Sequence, residues 1–199
     1  FPKLIYHLWA DVALDSSIPY MVSYYFNLLQ ALIVVFVVYS FVRAWEKRDA
    51  MEVIDVYPAG NGERTMGYVG AIVRLILVLN VVVLLIAALF QALFYQGALS
   101  LWINVFYLLT LTLPTLVFVL GLSLFAMRVV KIHFLALLLL LGYLLLTYFF
   151  LSEIGHGVFD PWGRVIPNVF SGYVGHVGLA EYLPHRMGYL LIGIGLICL

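Results

Sequence analysis

The sequence predicts an all-α polytopic membrane protein, and three observations carry that prediction. The chain has 199 residues, of which 65% are hydrophobic, and its mean hydropathy is +1.11. Only 10% are charged, against roughly 25% in soluble domains. Several apolar runs exceed the ~18–20 residues that cross ~30 Å of hydrocarbon as helix.

Spans are expected at about 20–42, 67–94, 101–127 and 132–151, and a further one, 187–199, is cut short. The chain opens on Phe1 with no basic leader and closes inside "LLIGIGLICL", so it reads as a fragment of a longer protein at both ends. In the third span, Pro114 follows "TLTL" and is expected to kink the helix, with Thr110 and nearby backbone re-satisfying the freed carbonyl. The fourth, "HFLALLLLLGYLLLTYFFL", is nearly free of polar groups and reads as a lipid-facing or packing helix. Asn80, Gln91 and Asn104 are the few amides at depth, and interhelical hydrogen bonds are their expected use. Arg74 lies about two turns inside the second span, where its stem can snorkel.

Lysine and arginine in the connections set the expected orientation. One side carries Arg43, Lys47, Arg48, Arg64, Arg128 and Lys131; the other carries Lys3, Arg164 and Arg186. The bias assigns residues 43–66 to the cytoplasm, and residues 152–186 and the N-terminal stretch to the outside. Net charge is zero, so no basic surface calls for nucleic acid. Cys198, the single cysteine, can form no internal disulfide.

The polar passage "WEKRDAMEVIDVYPAGNGER" interrupts two membrane runs. Read as helix, it continues the first span out of the bilayer. Met51 and Ile54, with Val53 and Tyr57 beside them, form one apolar face; Asp49, Glu52 and Asp55 lie elsewhere around the axis. Pro58 ends that helix, "AGNG" turns the chain, and "GERTMGYVG" begins the return. The result is an amphipathic elbow at the interface, either a passive connector or a docking knob.

On these residues the chain resembles ABC-2 type transporter permeases. The family's pattern of an acidic residue, an amphipathic helix and a Pro turn is carried here by Glu46, Glu52, Val53, Ile54 and Pro58. "LTLPTLVFVLGLSLFAMRV" resembles the family's fourth span, and "FDPWG" resembles a D-P-[FW]-G loop of some large permeases. The resemblance implies a six-helix transmembrane domain of the type V exporter kind, of which the second to sixth spans are present. It implies a multi-pass plasma-membrane protein, a bacterial inner membrane being the expected setting. It further implies a coupling helix on which Met51, Val53, Ile54 and Tyr57 dock an ATP-binding cassette subunit, with Glu46, Asp49, Glu52 and Asp55 setting register. A second permease, identical or not, completes the pair. ATP and Mg would be bound by the partner ATPase, because the chain has no G-x-x-x-x-G-K-[ST] motif. The chain is then not an enzyme by itself and needs no cofactor of its own.

The loop 152–186 offers a rival reading. Glu153, His156, Asp160, His176, Glu181 and His185 fall within it, and "EIGH" has the Glu-x-x-His spacing of some di-iron helices. That would make the chain a membrane metalloenzyme or redox subunit with Glu153, His156, His176 and His185 as ligands. Against it, Gly155 and Gly157 flank the first His, and Pro184 separates Glu181 from His185. A capped or re-entrant loop with Trp162, Tyr173 and Tyr182 as interfacial belt residues is the expectation. His133, at the end of the fourth span, has no facing histidine at its depth and reads as interfacial. A non-transporting scaffold subunit of a larger membrane complex would share this hydropathy but not depend on an ATPase.

Overall fold

A computed structural model describes residues 14–45, 61–94, 101–149, 162 and 179–198. The described residues are almost entirely helical. Helix α1 is Leu14–Trp45 and α2 is Asn61–Phe94; α3, Leu101–Tyr107, runs through a π-helical turn at Leu108–Thr112 into α4, Leu113–Val129. Helix α5 is His133–Phe149 and α6 is Leu179–Cys198. Among the described residues, three stretches are long and apolar enough to cross a membrane: Tyr25–Ala44, Met66–Leu89 and Asn104–Val129. The 26 residues of the third, at ~1.5 Å rise each, exceed ~30 Å of hydrocarbon. Helix α5 is apolar throughout but has only 17 residues.

Packing is organised around α1 and α4. Helix α4 makes its most extensive contact with α6, then with α1; α1 also packs on α2, α5 and α3. Along α1 the buried positions are Ser23, Asn27, Gln30, Ala31, Val34, Val35 and Val38, the three-and-four spacing of one helix face. Phe41 meets Tyr68 with ring centroids 5.3 Å apart, so α1 and α2 run antiparallel and Trp45 and Asn61 lie at the same end. Arg128 shares a cavity of about 240 Å³ with Val42 and Tyr68, which brings the close of α4 to that end too.

Helices α4 and α6 run parallel, because contacts climb in number on both: Tyr182 to Thr110, Tyr189 to Phe118, and Gly193 to Gly121. Their backbones touch where the two glycines meet. A Cβ on Gly193 would stand 2.7 Å from the Val117 carbonyl oxygen, and one on Gly121 would overlap the Gly193 carbonyl. Small residues allow helices to approach this closely in lipid, where apolar burial does not drive helices together.

Outward faces are apolar. Leu77, Val81, Leu85 and Leu89 on α2 and Leu138, Leu139 and Leu146 on α5 are exposed. One side of α5 is thus apolar and exposed, while Ala136, Leu137, Leu140 and Leu144 pack inward.

Candidate functional site

The polar chemistry of the bundle gathers at one level, and Pro114 is its origin. Proline has no N–H to give the carbonyl four residues earlier, which is that of Thr110. Upstream, the chain widens into the π turn, where the Leu113 N–H bonds the Leu108 carbonyl. Such turns leave carbonyls open to outside donors.

Arg186 of α6 supplies the donor. Its Nε donates to the Thr110 carbonyl at 3.0 Å, and its Nη2 donates to the Leu111 carbonyl and the Thr115 hydroxyl, each at 2.6 Å. Its guanidinium lies 5.7 Å from the Tyr189 ring centroid, and the residue is 1% exposed. The planar fork suits two carbonyls and a hydroxyl better than an ammonium would. Charge-assisted hydrogen bonds of ~1.5–3 kcal/mol each offset the cost of burying its charge among apolar helices.

Three expectations are corrected here. Arg186 is a buried helical residue and not a loop cation, since α6 begins at Leu179, ahead of the expected start near 187. The Thr110 hydroxyl donates to its own helix, at Phe106, while the carbonyl that Pro114 frees is taken by Arg186. Trp162 and Tyr182 are not belt residues: they are 0% and 3% exposed. Trp162 donates from Nε1 to the Thr147 hydroxyl at 3.0 Å and meets Tyr148 edge-on.

Amides form the second half of this level. Asn27 and Gln30 are 0% and 2% exposed, and no side-chain polar atom of either has a hydrogen-bond partner. Asn80 is equally buried; its Nδ2 donates to Ile76 of its own helix and its Oδ1 has no partner. The interhelical bond expected of Asn80 is thus replaced by a local one. Each unsatisfied group costs about 1–3 kcal/mol. Twelve residues from Phe41, Tyr68 and Met127 along their helices stand Leu29, Asn80 and Thr115. The amides of α1 and α2 therefore lie level with the hydroxyl that Arg186 grips. The signal in the sequence was a spacing: Ser23, Asn27 and Gln30 recur at helical intervals inside an apolar run.

A groove of about 670 Å³ runs between α4, α5 and α6, lined by Phe118, Leu122, Leu140, Tyr143, His185 and Tyr189 among others. His185 there meets Tyr189 edge-on at 5.2 Å. The other ligand candidates, Glu153, His156 and His176, lie outside the described residues, and no cluster of three metal-ligating side chains occurs among the described ones. Outside them too lie the elbow residues Glu46, Asp49, Met51, Glu52, Val53, Ile54, Asp55, Tyr57 and Pro58.

Together these features define a helical, membrane-embedded protein with a polar level in its interior. Comparison with family models, curated proteins and solved structures finds no match.

Proposed function

We propose that the chain is the permease subunit of an ATP-driven transporter of the ABC-2 type. It works with a second permease and an ATP-binding cassette subunit that docks on the elbow. One observation carries the reading most directly. Helices α1 and α2 pack antiparallel through Phe41 and Tyr68, so Trp45 and Asn61 share one end of the bundle. The 15 residues between them, 46–60, must leave and return there, beside Arg43 and Arg128. An amphipathic excursion tied at both ends to packed helices passes a push on the elbow directly into α1 and α2. Any connector between paired helices is rooted this way; what would make this one a docking surface is the apolar face of Met51, Val53, Ile54 and Tyr57 in the sequence.

Cargo of an apolar or amphipathic kind fits the small number of charges on the spans. Arg74 is exposed on α2 and free to snorkel, and Arg186 is engaged by the π turn and α4. Export across the bacterial inner membrane, with the elbow cytoplasmic, completes the proposal.

Affinity purification of the intact protein from its native membrane should recover a P-loop ATPase. Ile54→Asp together with Glu52→Lys should abolish that association while leaving membrane insertion and thermal stability intact. An ATPase that remains bound to the doubly substituted protein would reduce the elbow to a connector. Failure to recover any P-loop ATPase with the unsubstituted protein would remove the transport reading.

A further inference from the structure

We infer that Asn27, Gln30 and Asn80 form a binding site for a neutral head group that both donates and accepts hydrogen bonds, a hydroxyl or carboxamide carried on an apolar body. The inference deepens the permease reading by naming the chemistry of the cargo, and rests on it to that extent.

All three side chains are buried, at 0%, 2% and 2% exposure. Asn27 Oδ1 and Nδ2, Gln30 Oε1 and Nε2, and Asn80 Oδ1 have no hydrogen-bond partner. Amides between membrane helices ordinarily bond across to the next helix and hold the pair together. These do not: Asn80 turns back to Ile76, and the α1 amides bond nothing. Helix adhesion therefore does not account for them.

The antiparallel register set by Phe41 and Tyr68 brings Asn80 level with Leu29, one residue from Gln30 and two from Asn27. Each primary amide offers N–H donors and a carbonyl acceptor. A complementary guest must present both, as a hydroxyl or carboxamide does and a carboxylate does not. The level offers no charge for an ionic head: Arg186 already donates to Thr110, Leu111 and Thr115. Access would be lateral, since α2 makes its main contacts with α1 and α3 and leaves Leu77, Val81 and Leu85 exposed. Parting α2 from those two helices would admit a guest from the bilayer.

The test uses the intact protein in phosphatidylcholine nanodiscs without nucleotide. Three photoreactive probes of equal chain length are compared: a monoacylglycerol, the fatty carboxylate and the alkane. The monoacylglycerol should label α1 near 23–30 and α2 near 76–87 about tenfold more than the other two, and Asn27→Leu with Gln30→Leu should lose about that factor. The same double variant should melt at the same temperature or higher, because no internal bond is removed. Equal labelling by the alkane, equal labelling by the carboxylate, or undiminished labelling of the double variant would overturn the site. So would a fall in melting temperature or a failure to fold, because the amides would then be bonded within the protein. Labelling as expected without any associated ATPase keeps the site and removes the transport reading; an associated ATPase without labelling removes the site alone.

Discussion

Arg186 joins α6 to the π turn through two hydrogen bonds and to α4 through a third, and its value depends on the fork shape of its head. Arg186→Met removes all three and leaves the Thr110 carbonyl short of a donor, while the Leu111 carbonyl keeps the Thr115 hydroxyl. Unfolding in detergent should then cost about 2–5 kcal/mol less than for the parent protein. Arg186→Lys keeps the charge but brings a single compact ammonium to three acceptors, and should fall between the two. Parent-like melting of the Met variant would mean that the guanidinium adds nothing to the fold. Trp162 allows a finer cut. Trp162→Phe keeps most of the buried ring and loses one bond to Thr147, worth about 1 kcal/mol. Trp162→Ala empties a fully buried site and should cost about 3–5 kcal/mol. A Phe variant as unstable as the Ala variant would assign the whole effect to the hydrogen bond.

At the scale of elements, the contact of α4 with α6 depends on two glycines. Gly121→Leu or Gly193→Leu drives side-chain carbons into the facing backbone, and overpacking of this kind costs about 1–3 kcal/mol or more. Gly188 and Gly195 lie on the same helix with open space around them, so alanine there should be neutral or gain up to ~1 kcal/mol of helix propensity. Melting curves of the four variants check the contrast, and equal losses at all four sites would refute close backbone contact as its cause. The long apolar helices were legible in the sequence because hydropathy alone decides whether twenty residues prefer lipid. The opening of α6 was not. Glu181, Pro184, His185 and Arg186 read locally as loop, and only acceptors on another helix make a buried arginine tolerable there. Pro114 announced a carbonyl in need of a donor, but the sequence could not say that the donor stood 76 residues away. Asn80, Gln91 and Asn104 were the amides expected at depth; the structure buries Asn27 and Gln30 too, and their lack of partners is a property of the assembled bundle.

For the whole molecule, the helix directions make a demand that sidedness can check. Phe41 against Tyr68, and Val42 and Tyr68 around one cavity with Arg128, bring the C-terminal end of α1, the start of α2 and the close of α4 to one end. Helix α5 then starts at His133 and leaves for the opposite end, finishing at Phe149. Cysteines at Ala44, Met66 and Ile132, each exposed, should therefore react with a membrane-impermeant maleimide from one side only. A cysteine at Phe149, also exposed, should react only from the other. Cys198 is exposed and must be replaced by Ala beforehand. Six of the chain's ten lysines and arginines fall within residues 43–64 and 128–131, in or beside the connections at the first end, and their preference for the cytoplasm makes that the protected side in intact cells. The four single-cysteine proteins, labelled in cells and again in inverted vesicles, give the readout. Reaction of positions 44 and 66 from opposite sides would break the α1–α2 pair and with it the rooted elbow. Reaction of all three from outside intact cells would keep the bundle but turn the elbow away from any cytoplasmic ATPase, and the transport proposal would fail while the fold stood.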